Sequence, residues 1–136
     1  MAKQRPGKYF LDHNYDETYA KLEPLRLVDC NGKEIPNFIP YGIPKEVTAL
    51  DLSRNLIPSL RKNSFAQLHT LKYLNLDENN LEEVPADVLR GLNSLKILRL
   101  NGNYITKIET EAFIDMEKIK DIQVFLVQIS LSLYKI

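Results

Sequence analysis

The sequence predicts an α/β solenoid. It should be a short, curved stack of coils with a parallel β-sheet on the concave face and an irregular, 3-10 or short helical convex side. Three observations predict it. A 24-residue pattern recurs three times, starting at Val47, Leu71 and Leu95. Each copy holds a stretch where apolar residues alternate at a period of two, the mark of a half-buried strand. Each copy also places an Asn soon after that stretch, where the chain must turn away.

Numbered within the repeat, eight positions agree. Position one is Val47, Leu71 and Leu95; position four is Leu50, Leu74 and Leu98; position six is Leu52, Leu76 and Leu100. Position nine is Asn55, Asn79 and Asn103. Position eleven is Ile57, Leu81 and Ile105; position fourteen is Leu60, Val84 and Ile108. Position nineteen is Phe65, Leu89 and Phe113, and position twenty-two is Leu68, Leu92 and Met116. One coil cannot bury its own apolar face, but stacked coils share a continuous core. Asn55, Asn79 and Asn103 would form a ladder. A side-chain amide both donates and accepts, so each can satisfy backbone groups that the turn leaves unpaired, in its own coil and the next.

The pattern LxxLxLxxNxLxxL, with a Phe or Leu and a further Leu at fixed offsets, resembles the typical subclass of leucine-rich repeats. That subclass occurs in Toll-like receptors, Slit proteins, lamprey variable lymphocyte receptors and small leucine-rich proteoglycans. The resemblance runs from Leu25 to about Ile122. It implies an extracellular, non-catalytic module of a receptor, secreted or matrix protein that binds a protein ligand on its concave face.

Four segments are expected: an arm over 1–24, a cap-like segment over 25–46, three repeats over 47–118, and a degenerate fourth repeat or carboxyl edge over 119–136. In the cap segment, VDC, IP and GIP before VTALDL resemble the cysteine-rich amino-terminal cap of these families. Four cysteines normally pair there, and only Cys30 matches, in the place of the last. A single cysteine forms no internal disulfide, so the chain reads as reduced or as lacking its partners. Cys30 itself reads as a small buried apolar residue rather than a reactive thiol.

The arm carries Tyr9, Phe10, Tyr15 and Tyr19 among Asp12, Asp16 and Glu17. It reads as partly disordered, or as sulfation-prone tyrosines of the kind found in the arms of some leucine-rich proteoglycans. At the other end Ile119, Ile122 and Val124 open a fourth repeat, but Val127 stands where Asn should be. This segment is either an improvised last strand or sequence foreign to the repeat, as in a truncated or spliced form. An uncovered apolar edge predicts self-association through 119–136.

Composition narrows the function. Eighteen basic residues balance eighteen acidic ones among 136, which argues against a nucleic-acid backbone binder. Residues 1–20 hold no apolar run of signal-peptide length. The stretch from Ile122 to Leu133 is too short and too polar to cross a bilayer, so no membrane insertion is expected. One Cys and two His give no metal-ligand spacing. Glycine-rich phosphate loops and nucleophile-elbow motifs are lacking, so neither a cofactor nor catalysis is expected.

Binding is expected on the solvent-facing strand positions three, five, seven and eight. These are Ala49, Asp51, Ser53 and Arg54; Tyr73, Asn75, Asp77 and Glu78; and Ile97, Arg99, Asn101 and Gly102. Stacked strands put same-position residues about 5 Å apart. Position five then becomes a row of Asp51, Asn75 and Arg99. Position three becomes an exposed apolar row of Ala49, Tyr73 and Ile97, and an aromatic beside an Arg suits a protein hot spot. Asp51, Ser53, Tyr73, Asn75, Asp77, Ile97, Arg99 and Asn101 are the candidate contact residues.

Overall fold

A computed structural model describes residues 3–6, 25–35, 42–119 and 121–123. Eight short strands are present: β1 (Lys3–Pro6), β2 (Arg26–Asp29), β3 (Ala49–Asp51), β4 (Tyr73–Asn75), β5 (Glu83–Val84), β6 (Ile97–Arg99), β7 (Lys107–Ile108) and β8 (Asp121–Gln123). Six of them form one sheet in the order β1-β2-β3-β4-β6-β8. From β2 onward every pairing is parallel. The register follows the repeat: Ala49 faces Tyr73, Tyr73 faces Ile97, and Ile97 faces Asp121. A second, two-stranded parallel sheet, β5–β7, lines the far side of coils two and three.

The strands are short because each coil must leave the sheet at its Asn. Between the two sheets the chain advances through turns closed by bonds three residues back, such as Leu68 N to Phe65 O at 3.0 Å and Met116 N to Phe113 O at 3.1 Å. The convex side is therefore irregular, with no helix among the described residues. Every apolar repeat position lies in one buried cluster, from Val47 through Met116. The cap joins it through Val28 and Cys30, which stand beside Leu50 and Leu52 as positions four and six of an extra coil. Cys30 is a free, buried thiol.

The amino-terminal end differs from expectation, and the carboxyl end follows it as far as Gln123. Lys3–Pro6, placed by the sequence in an unstructured arm, pairs antiparallel with β2, from Lys3 opposite Asp29 to Pro6 opposite Arg26. Its short, polar KQRP carries no apolar alternation to announce a strand, and its proline is tolerated because β1 is an edge. At the other end β8 places Ile122 opposite Leu98, in position four of a fourth coil. The tyrosines of the arm, Val124 and Val127 lie outside the described residues.

Candidate functional site

The three Asn side chains are buried where the strands end. Asn79 Nδ2 reaches Leu52 O of the previous coil at 3.0 Å and Leu76 O of its own at 3.2 Å. Asn103 repeats this with Leu76 O at 2.9 Å and Leu100 O at 3.1 Å. Their oxygens accept from the previous coil: Asn79 from Ile57 N at 3.1 Å and Asn103 from Leu81 N at 3.0 Å. Asn55 extends the series into the cap, giving to Cys30 O at 3.0 Å and taking from Lys33 N and Ile35 N. Each Asn thus stitches two neighbouring coils.

On the concave face the structure corrects the expected apolar row. Ala49 and Tyr73 are not exposed: they retain 0% and 2% of their surface. With Leu25 and Leu27 of the cap they form a second buried cluster, against which Ile97 packs half-buried. The cap coil's apolar residues continue the row by one register step, Leu27 beside Ala49. The sequence reading began the row at Ala49 and so left it bare.

The polar candidates are corrected in the same sense. Asp51, Ser53, Asn75 and Asp77 are buried, each below a tenth exposed. Their polar atoms serve the fold. Asp51 Oδ1 accepts from Ser53 N at 2.9 Å and from the Ser53 hydroxyl, and that hydroxyl accepts from Asn31 Nδ2. Asn75 Oδ1 accepts from Asp77 N at 2.9 Å. Asp77 Oδ1 accepts from Asn101 N at 2.8 Å, and its Oδ2 from Arg99 Nε at 2.9 Å. Short polar side chains at a strand end fold back onto nearby backbone N–H groups, and that local capping competes with exposure.

Burial sets the electrostatics. It pushes the Asp51 carboxyl above its ordinary range against the bonds from Ser53, and the charges of Asp29 and Asp77 add to the rise. Asp77 shifts the same way, burial outweighing Arg99. Burial likewise drives the Cys30 thiol up to about 11, which keeps it protonated and unreactive at neutral pH.

The third coil keeps its candidates accessible. Ile97, Arg99 and Asn101 are all part-exposed, and the rim residues Arg54, Glu78 and Gly102 are exposed. Arg54 and Glu78 form an exposed ion pair at 3.6 Å, worth little by itself. Position eight is also where the backbone turns left-handed, with φ of 57° at Arg54, 56° at Glu78 and 74° at Gly102. Only the last is a glycine, so the geometry these three coils share at that position is invisible in residue types. Thr48 was missed as well: its Oγ1 accepts from Arg26 N at 2.7 Å, tying the cap to coil one.

Among the described residues no group of three or more His, Cys, Asp or Glu is placed to hold a metal ion. Among them, too, no helix is long and apolar enough to cross a membrane. The arrangement offers a patch of mixed character: apolar at Ile97, cationic at Arg99, with an amide at Asn101.

The family model described as "Leucine rich repeat" matches residues 20–81 and 69–125. Mouse leucine-rich repeat-containing protein 17 is 39% identical over 62 residues, which is 46% of this chain and 12% of that one. The crystal structure of human 5T4 (Wnt-activated inhibitory factor 1, trophoblast glycoprotein) superposes with a TM-score of 0.63 at 28% identity, covering 74% of this chain and 36% of that one. The TLR13 chain of a TLR13–ssRNA13 complex superposes with a TM-score of 0.53 at 28% identity, covering 75% and 18%. This chain therefore spans only a small part of the length of these relatives.

Proposed function

The chain belongs to the leucine-rich repeat family, and from that membership we propose that it is a non-catalytic module that binds a protein ligand through the third-coil end of its concave face. The contact residues are Ile97, Arg99 and Asn101, with the rim residues Arg54 and Glu78 beside them. The observation that carries this reading is a gradient of exposure along the rows. Position three passes from Ala49 at 0% through Tyr73 at 2% to a half-buried Ile97. Position five passes from Asp51 at 8% and Asn75 at 9% to Arg99, whose side chain keeps 28%. Asp51, Ser53, Tyr73, Asn75 and Asp77 then act beneath the contact, holding its residues in place.

An apolar side chain next to an Arg is the composition of protein hot spots. The family's fold serves interaction more than chemistry, and its members place different ligands on one scaffold. By family the setting is extracellular, in a receptor, secreted or matrix protein. The nucleic-acid alternative, raised by the RNA-bound structural neighbour, is disfavoured by the balance of eighteen cations and eighteen anions.

The test is a binding screen of the chain against an array of extracellular proteins and a single-stranded RNA. Ile97→Asp and Arg99→Glu are the probes, and Ile114→Asp, on an exposed convex residue, is the control. A protein ligand lost in the first two variants and kept in the third supports the reading. Binding to RNA alone, or a protein ligand indifferent to both concave variants, rejects it.

A second reading, a scaffold component that self-associates through 119–136, is favoured by one observation. β8 ends the six-stranded order, and its outer edge has no partner strand among the described residues. Light scattering over a range of concentrations tests it. A mass that stays monomeric throughout rejects it.

A further inference from the structure

The chain enters the concave sheet through a row of cations. Position two of each coil stands just before its strand, and backbone bonds stack these residues one on the next. Thr48 N donates to Arg26 O at 3.0 Å, Lys72 N to Thr48 O at 2.8 Å and Lys96 N to Lys72 O at 2.9 Å. The row therefore runs Arg26, Thr48, Lys72, Lys96, from the cap to coil three. Arg26 is exposed and both lysines are part-exposed. Thr48 is buried, its Oγ1 bonded to Arg26 N.

The same flank takes in positions twenty-three and twenty-four, where each coil returns to the sheet. Thr70 Oγ1 donates to Lys45 O at 3.1 Å, and His69 Nδ1 lies 3.2 Å from Asn93 Oδ1, so these positions also stack coil on coil. They add the exposed Lys45 and Lys118. Among the described residues, five cations at these positions, Arg26, Lys45, Lys72, Lys96 and Lys118, stand against two carboxylates, Glu46 and Glu117. Asp121 follows one position on, opposite Ile97. The flank where the chain leaves the sheet, positions eight to thirteen, leans the other way. It carries exposed Glu34, Glu78, Glu82 and Glu83 against Lys33, Arg54 and Lys107. The overall balance of eighteen cations and eighteen anions averages over these unlike flanks.

Like charges directly opposite on neighbouring strands, about 5 Å apart, repel in the free chain. A ligand with repeated negative charge removes that repulsion and meets several cations at once. From Arg26 to Lys96 the row covers three strand steps, about 15 Å, and it is one side chain wide. That shape suits an extended polymer rather than a planar surface. Single-stranded nucleic acid draws much of its affinity from bases stacked on aromatic side chains. Among the described residues, positions two, twenty-three and twenty-four hold no Phe, Tyr or Trp, and the imidazole of His69 is bonded to Gly91 O and Asn93 Oδ1. We propose that this flank binds a sulfated polysaccharide, laid across the coils along Arg26, Lys72 and Lys96 with Lys45 and Lys118 beside it. The site borders the contact patch and leaves Ile97, Arg99 and Asn101 to a protein ligand.

The experiment titrates the full chain with heparin over a series of salt concentrations, with single-stranded RNA and anionic phosphatidylserine vesicles as rival probes. Heparin binds most tightly of the three, and its affinity falls linearly with salt on logarithmic axes. Lys72→Gln combined with Lys96→Gln lowers that slope by about two, roughly one counterion for each lost cation, and weakens binding on the order of tenfold. Lys33→Gln combined with Lys107→Gln removes the same charge from the opposite flank and leaves both quantities unchanged. In the unaltered chain, heparin shields Lys45, Lys96 and Lys118 from an acetylating reagent and leaves Lys33 and Lys107 reactive, a readout that needs no variant to fold. RNA or vesicles bound as tightly as heparin, equal losses in the two double variants, or uniform shielding of the lysines overturn the proposal.

Discussion

Arg99 Nε lies 2.9 Å from Asp77 Oδ2, so position five of coil three is pinned to position seven of coil two. The Asp77 side chain is 11% exposed, which makes the bond more than a surface ion pair. Removing the guanidinium leaves a nearly dry carboxylate without its counter-ion, and that asymmetry dominates the cost of such changes. Arg99→Ala is expected to lower unfolding free energy by about 1–3 kcal/mol in urea titration. A double-mutant cycle with Asp77→Asn should return a coupling of similar size. A coupling near zero would reduce the pair to a chance proximity.

The buried carboxyls predict an acid-favoured fold. Asp51 and Asp77 titrate higher in the folded chain than their ordinary value of 3.8, burial being the first cause at each. A carboxyl raised on folding binds its proton more tightly in the native state. Its contribution is complete below the unfolded value and is lost as pH rises through the folded one. For these two groups, then, stability falls on going from mildly acid to neutral pH. Asp51→Asn keeps the acceptor for Ser53 N and removes the charge that faces Asp29 and Asp77. The variant should melt higher than the native chain at neutral pH, with a flatter dependence of Tm on pH. A Tm profile parallel to the native one would show that Asp51 is not the titrating group.

The sequence made the coil legible wherever one residue type answers one structural need. Leu at positions four and six and Asn at nine have a single place to go, and their positions in the core and the ladder follow from periodicity. The concave face was less legible, because a period of two tells inside from outside but not what stands beside the outside. Tyr73 reads as an exposed aromatic until Leu25, Leu27 and Ala49 are seen to continue its row. Asp51 and Asp77 read as free surface charges because nothing in their identity shows that Ser53, Asn101 and Arg99 occupy their oxygens. β1 was hidden for a simpler reason: its pairing to β2 is made by backbone, which KQRP does not advertise.

The core and the ladder should fail differently. Leu74 is fully buried at the centre of the main cluster, and Leu74→Ala is expected to cost about 2–5 kcal/mol. Asn79→Ala strands Ile57 N in a dry interior, at about 1–3 kcal/mol, and takes one of two donors from Leu52 O, which keeps Asn55 Nδ2 at 2.9 Å. Asn79→Asp is the sharper probe. It keeps the acceptor for Ile57 N but turns the donor that faces Leu52 O and Leu76 O into a repelling carboxylate. Asp at this position should be worse than Ala at neutral pH and should recover in acid, where a protonated carboxyl donates again. If the Asp variant is the more stable of the two at neutral pH, the donor side of the ladder carries little weight.

Gly91 is required by contact between coils rather than by the repeat, since Gln67 and Asp115 stand at the same position in the other copies. Its φ is +91°, and a Cβ there would lie 2.5 Å from the backbone oxygen of Ala66 in the previous coil. That atom cannot swing aside as a side chain would. Gly91→Ala combines a left-handed penalty of about 1–2 kcal/mol with overpacking of about 1–3 kcal/mol. At Gly102, by contrast, the nearest atom to an added Cβ is Glu78 Cγ at 3.0 Å, part of a flexible side chain. The backbone N of Glu78 follows at 3.3 Å, so Gly102→Ala should show the backbone penalty of about 1–2 kcal/mol and little overpacking beyond it. Thermal melts of the two variants side by side check the difference. A Gly91→Ala chain as stable as Gly102→Ala would mean that coils one and two separate on the convex side at no cost, and that the stack is held together by its concave sheet and Asn ladder alone.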